Sequence, residues 1–143
     1  MKFDRRFFSN LIVFILLIVV GALLTMCQSA KTIRVAYTDE LVAISSKDYN
    51  ANIAYADVLS IELIDNPDLG SVSDGKNRPE LKSGVWQNDT WGEYHLCFNP
   101  NATNCIVVHL KGSQPFVFNC NSNEATAASY EAFLSRLPHL SQN

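Results

Sequence analysis

An uninterrupted apolar run from Leu11 to Cys27 constrains this 143-residue chain more than any other feature. The run, LIVFILLIVVGALLTMC, contains no charged residue, and as a helix it would extend about 26 Å. That length is close to the thickness of a bilayer's hydrocarbon core, so we expect a transmembrane helix over residues 11–27. The head before it, residues 1–10, carries three basic side chains against one acid, which favours a cytoplasmic N-terminus.

Three processing outcomes stay open for this segment. A retained helix would make the chain a single-pass protein of the cell membrane, with its domain on the extracytoplasmic side. Cleavage near Ser29 or Ala30 would instead release a secreted soluble β domain. Lipoprotein processing at Cys27 requires a small preceding residue, but Met26 stands there. We expect the retained anchor.

The remainder of the chain has the length of one compact domain and is acidic. Residues 31–143 carry eight Lys and Arg against thirteen Asp and Glu, a net charge of -5. Nucleic acids and anionic surfaces attract clustered basic residues, so a nucleic-acid partner is not expected. The chain also lacks phosphate-binding and dinucleotide-binding motifs, and no cofactor is expected.

Alternating apolar and polar residues predict a mainly β domain over residues 32–137, followed by a tail over 138–143. Strands are predicted at 32–37, Leu41–Ser45, Ile53–Asp65, Gly92–Phe98, Cys105–Leu110 and Pro115–Cys120, with the last three as an antiparallel meander. The segment SSKDYNAN is predicted as a turn, and residues 66–84 as a long, mobile polar loop. An apolar stripe from Ala127 to Leu137 predicts a C-terminal helix, capped by Asn121 and stopped by Pro138.

The order of these parts resembles the bacterial pleckstrin-homology-like (PH-like) domain family, often found behind membrane helices. The resemblance covers roughly residues 32–137 and rests on YADVLSIELID, a loop ending in KSGVW, WGEYHLCF, CIVVHL, PFVFNC and the helix NEATAASYEAFLSRL. It implies a bent antiparallel β-barrel or sandwich of about seven strands, capped by one helix. Eukaryotic members of the wider fold bind phosphoinositides through basic loops. Here the corresponding loops offer little beyond Lys47, so phosphoinositide binding is not expected.

Three of the four cysteines, Cys97, Cys105 and Cys120, lie on consecutive predicted strands. If Leu110 pairs with Pro115, the same register sets Cys105 opposite Cys120 and permits a cross-strand disulfide in an exported domain. Buried free thiols are the alternative, and Cys97 with Cys105 is a rival pairing.

A second interpretation of these strands is a metal site formed by His95, Cys97, Cys105 and His109. The four side chains converge only if their two strands pair with an even index sum, because an odd register places the two pairs on opposite faces. Zinc ligands usually have tighter spacings, so we expect ordinary sheet residues and no metal. No spacing of carboxylates indicates a catalytic pair, and no catalytic residue is predicted.

Trp86 and Trp91 flank a predicted turn and are candidates for a recognition patch, although packing at one end of the sheet is the favoured interpretation. The sequence as a whole therefore predicts a membrane-anchored, non-catalytic interaction module with an unidentified protein partner. An exposed edge of its curved sheet would accept a strand of that partner. A metal-binding protein or an enzyme is the alternative class.

Overall fold

The computed structural model describes residues 33–137 and the single residue Ile15. The predicted head, transmembrane helix, processing sites and C-terminal tail lie outside the described residues, apart from Ile15. Within the described part of the chain, no helix is long and apolar enough to cross a membrane.

A three-stranded antiparallel sheet begins the domain. Its strands, in spatial order, are β1 (Arg34–Tyr37), β2 (Leu41–Ser45) and β3 (Asn50–Ala54). The first two confirm the prediction. The third does not, because its residues were assigned largely to a turn. Only Ile53 of β3 is buried, so its own pattern is weak, and pairing with β2 defines the strand.

A six-stranded sheet forms the body of the domain, in the order β4-β8-β9-β7-β6-β5. Its strands are β4 (Val58–Asp65), β5 (Ser71–Asn77), β6 (Lys82–Asn88), β7 (Gly92–Phe98), β8 (Asn104–Leu110) and β9 (Phe116–Phe118). The mainly β class with one C-terminal helix is confirmed. The described residues contain nine strands, more than the seven or so expected, and neither sheet closes into a barrel.

The predicted strand over Ile53–Asp65 is interrupted where the chain passes from one sheet to the other. A single 3-10 turn, Tyr55–Asp57, makes the passage. Its first residue is buried, and the Tyr55 hydroxyl donates to the carbonyl oxygen of Thr38 at 2.9 Å. This anchoring of an aromatic side chain bends the chain away from the first sheet.

The predicted mobile loop over residues 66–84 is wrong, because most of it forms the hairpin β5–β6. All seven residues of β5 are exposed, so no burial alternation marks the strand in the sequence. The two strands approach closely at Gly75, where an added Cβ would lie 2.1 Å from the Ser83 carbonyl oxygen. Only glycine fits that contact.

The predicted meander is also wrong, because β9 lies between β7 and β8. It is antiparallel to β8 and parallel to β7, with Phe116 beside His95. At the end of β7 the Asn119 side chain accepts from the Asn99 backbone N–H at 2.7 Å and donates to its carbonyl oxygen at 2.9 Å. These two bonds hold the chain after β9 beside the chain after β7. Strand β9 therefore occupies the position next to β7 that β8 would take in a simple hairpin.

A short connection, residues 66–70, joins β4 to β5 at the opposite edge of the six-stranded sheet. We call it the strap. A flat six-stranded sheet is about 24 Å wide, whereas the six steps from Asp65 to Ser71 reach at most about 21 Å. Two strap residues, Asn66 and Gly70, have positive φ and shorten it further. The sheet is therefore curled, and the strap crosses its concave side.

Two hydrophobic clusters lie on opposite faces of the curled six-stranded sheet. The helix-side face packs against the three-stranded sheet and the C-terminal helix through side chains that include Cys97, Ile106, Val108, Phe118 and Phe133. The strap-side face is closed by the sheet itself, the strap and the β6–β7 turn, around Trp86, Tyr94, Leu96, Cys105, Val107 and Val117.

The C-terminal helix α1 (Asn123–Leu134) confirms the existence of the predicted helix but not its bounds. It begins one residue later than its predicted cap allows, and it ends before Leu137, where the backbone changes to i→i+3 hydrogen bonds after Leu134. Ser122 is the N-cap, and its Oγ accepts from the Ala125 backbone N–H at 3.1 Å. Asn121 instead uses its side-chain oxygen to accept from the Ile33 backbone N–H. The cap assignment failed because this partner lies 88 residues away in the chain.

Candidate binding surfaces

The possible disulfide between Cys105 and Cys120 is not formed, and Cys97, Cys105 and Cys120 are free and buried, which was the alternative. The register explains this outcome, because Ile106 pairs with Phe118 and Cys105 therefore falls beside Asn119. A shift of one residue places the two thiols on opposite faces of the sheet. The rival pairing is excluded as well, since Cys97 and Cys105 belong to different clusters.

Burial also suppresses the chemistry of these thiols. Desolvation raises the pKa of Cys97 to about 11 and that of Cys105 to about 12. The pKa of Cys120 is raised for the same reason. The thiolate is the nucleophilic and metal-binding form of cysteine, so none of the three is activated.

We therefore expect these thiols not to react with Ellman's reagent at pH 8 in the native protein. The test uses a Cys27→Ser background, which removes the cysteine outside the described residues. After unfolding in guanidinium all three thiols should react rapidly with the reagent, because they become exposed and return to ordinary pKa values. Rapid native reaction of even one thiol per chain would contradict the burial and register described above.

The four residues of the alternative metal site do not converge. His95 and Cys97 lie on the helix-side face of β7, whereas Cys105 and His109 lie on the strap-side face of β8. Strand β9 separates the two strands in the sheet. Among the described residues, no group of three or more His, Cys, Asp and Glu side chains is placed to hold a metal ion.

Both histidines have structural partners instead. The Tyr49 hydroxyl lies 3.0 Å from Nδ1 of His95, whose ring also packs against Phe116. His109 Nε2 lies 3.1 Å from the Glu62 carboxylate on the exposed surface. His95 thus joins the two sheets, and His109 joins neighbouring strands β8 and β4.

The two tryptophans have different environments, and the favoured interpretation, packing, is confirmed for Trp86. Its side chain is 1% exposed, and its indole N–H donates to the Ser83 carbonyl oxygen at 3.2 Å. Trp91 is half-buried in the β6–β7 turn and contacts the ring of Tyr94 edge-on, with centroids 5.1 Å apart. Only Trp91 is available to a ligand.

Strand β4 is one edge of the six-stranded sheet and carries two exposed leucines. Leu59 is 51% exposed and Leu63 is 40% exposed, while Ile61 between them is buried. In a regular strand, alternation would place these three residues on one face. Position at the edge, together with a bulge between Val58 and Ser60, leaves the outer two uncovered. This is the longest strand of the domain, and its apolar surface was visible in the sequence although its exposure was not.

The opposite edge, β5, is mostly polar, and ion pairs join its end to Asp48. Lys76 and Arg78 contact the two carboxylate oxygens of Asp48 at 2.9 and 3.0 Å. The Lys76 hydrogen bond, aided by the charges of Arg78 and Lys47, holds the pKa of Asp48 below its usual value. Sequence reasoning missed this cluster because its members are some thirty residues apart.

No family model, curated protein or solved structure matches the chain.

Proposed function

We propose that the chain is a membrane-anchored, non-catalytic module whose β4 edge binds an extended segment of a protein partner. One observation carries this proposal. An eight-residue edge strand exposes two large apolar side chains, Leu59 and Leu63. Edge strands offer backbone hydrogen-bonding groups to a further strand, and exposed apolar residues on such an edge favour that pairing.

The other edge of the sheet is less suited to this role. Strand β5 contains a bulge between Val72 and Asp74, a closely packed Gly75 and the charged Lys76. Bulges and charged side chains, lysine above all, are devices that protect an edge from pairing. Strand β4 also contains a bulge, between Val58 and Ser60, but it carries no lysine and exposes two leucines, so the comparison favours β4.

The charges on β4 indicate what the partner should contain. Glu62 and Asp65 are exposed on the same strand as the two leucines. A partner strand that alternates apolar residues with lysine or arginine would cover the leucines and neutralise the acids. We propose such a segment as the ligand of the β4 edge.

Two observations support a non-catalytic role. The three described cysteines are buried with raised pKa values, whereas nucleophilic cysteines require lowered ones. The exposed Glu62–His109 pair lies beside Ser60 in the strand register, but among the described residues no hydrogen bond joins the Ser60 hydroxyl to the His109 ring, as an activated nucleophile would require. A binding role requires neither.

The transmembrane anchor, extracytoplasmic placement and PH-like ancestry are parts of the same proposal. The apolar run over 11–27 supports the anchor. A β-rich body packed against a C-terminal helix supports the ancestry. The parallel pairing of β7 with β9 is not part of the antiparallel barrel that the resemblance implies.

Site-specific photo-crosslinking tests the proposed edge. A photoreactive amino acid replaces Leu63 in one variant and Val72 in a matched control, since both side chains are 40% exposed and lie on opposite edges. We expect a crosslinked protein from position 63 of the full chain in its own membranes, and little from position 72. The crosslinked segment should alternate apolar and basic residues. Equal yields at both positions, or none at 63, would reject the β4 edge.

A further inference from the structure

A shallow groove lies at the end of the six-stranded sheet, between the β6–β7 turn and the β8–β9 connection. It is lined by Trp91, Glu93, Gly112, Ser113, Gln114 and Pro115. The groove involves neither β4 leucine, so it is separate from the surface of the proposed function. Its chemistry combines an aromatic ring, a carboxylate, an amide and a hydroxyl within one depression.

The aromatic ring of the groove is held in place before any ligand arrives. The Trp91 backbone N–H donates to the Asn88 side-chain oxygen at 2.7 Å. Its ring contacts Tyr94 edge-on, at an interplanar angle of 77°. Tyr94 is itself buried, and its hydroxyl donates to the Leu69 carbonyl oxygen at 2.6 Å. A ring that packs on a buried neighbour, from a backbone that is itself hydrogen-bonded, loses little freedom on binding, which favours affinity.

The carboxylate of the groove is also oriented. Gln114 Nε2 donates to Glu93 Oε1 at 2.9 Å, across from one turn to the other. This bond leaves further acceptor positions on the carboxylate, because two carboxylate oxygens offer about four lone-pair sites. Glu93 can therefore accept a second donor without breaking its existing bond.

The charges around the groove favour a positively charged ligand. On its other side, Glu93 lines a second cleft together with Asp68 and Asp89. Neither lysine nor arginine is among the residues that line the two clefts. A cation would therefore meet complementary charge and an aromatic surface in one place.

We propose that this groove binds the guanidinium group of an arginine side chain from a protein partner. The planar guanidinium can stack on the Trp91 ring while its fork of N–H groups donates to the Glu93 carboxylate. An ammonium group attracts the same charges but lacks the plane and the fork. The groove thus fits arginine better than lysine.

Titration of the full chain in a neutral detergent with acetyl-Gly-Arg-Gly-amide tests the proposal. The chain has two tryptophans, so its ¹H–¹⁵N spectrum has two indole signals. We expect the Trp91 signal to shift and saturate at millimolar peptide. The Trp86 signal, from a buried indole bonded to Ser83, is an internal control and should stay in place.

Two variants and two peptides make the result decisive. Glu93→Gln removes the charge from an exposed side chain, and we expect at least tenfold weaker binding. Glu131→Gln, the same change at an exposed position of α1, should leave binding unchanged. The peptide with neutral citrulline in place of arginine should not bind, and the lysine peptide should bind more weakly. An unmoved Trp91 signal, equal binding of citrulline or lysine peptide, or full binding by Glu93→Gln would each overturn the proposal.

Discussion

Replacing Trp86 by alanine is expected to lower the free energy of unfolding by about 4 kcal/mol, as for other buried large-to-small changes. The side chain is 1% exposed and belongs to the strap-side cluster, so its removal leaves a cavity beneath the strap. The variant also loses the indole bond to the Ser83 carbonyl oxygen. Urea unfolding of the full chain in detergent, followed by far-ultraviolet circular dichroism, measures the change.

Trp91→Ala is the matched control, because it removes the same side chain from a half-buried turn position. Its loss should be about 1 kcal/mol, a typical value for a point substitution, because Trp91 is only partly buried against the strap-side cluster. A large loss in both variants, or a larger loss for Trp91→Ala, would contradict the different environments of the two tryptophans.

Asn119→Ala should lower the free energy of unfolding by about 3 kcal/mol, since a buried hydrogen bond whose partner is removed costs about 1–3 kcal/mol. Asn119 is fully buried, and it bonds both backbone groups of Asn99. Alanine removes both bonds in a place that water does not reach. The weakened link lies where the chain leaves β7 and β9, so hydrogen exchange should rise first in β9.

Asn101→Ala is the control for this effect. Asn101 lies in the turn that follows Asn99, and it is exposed, so its side chain should contribute within about 0.5 kcal/mol. Comparable losses for Asn101→Ala and Asn119→Ala would show that the turn as a whole, and not the buried amide, holds β9 in place.

Local pattern was sufficient for strands β1, β2, β7 and β8 and for the helix α1, which were predicted close to their observed positions. Alternation or helical spacing marked β1, β2 and α1. Strands β7 and β8 are buried on both faces, and their short apolar runs marked them. Strand β5 escaped prediction for the opposite reason, because both of its faces are exposed and its sequence resembles a loop.

The candidate sites depended on register and strand order, which local pattern does not contain. A shift of one residue in the β8–β9 pairing moved Cys105 away from Cys120. Insertion of β9 between β7 and β8 likewise divided His95 and Cys97 from Cys105 and His109. In a β-sheet a one-residue change reverses the face of every side chain, so a site across strands cannot be derived without the register.

The sequence by itself determined that this protein has a mainly β domain with a C-terminal helix, because side-chain periodicity depends on neighbours within a few residues. The tertiary structure alone decided which tryptophan is buried, which edge is exposed and where β9 lies. Those outcomes depend on contacts between distant residues, such as the bonds joining Asn119 to Asn99 and Tyr94 to Leu69. Long-range pairing selects among arrangements that short-range pattern leaves equivalent.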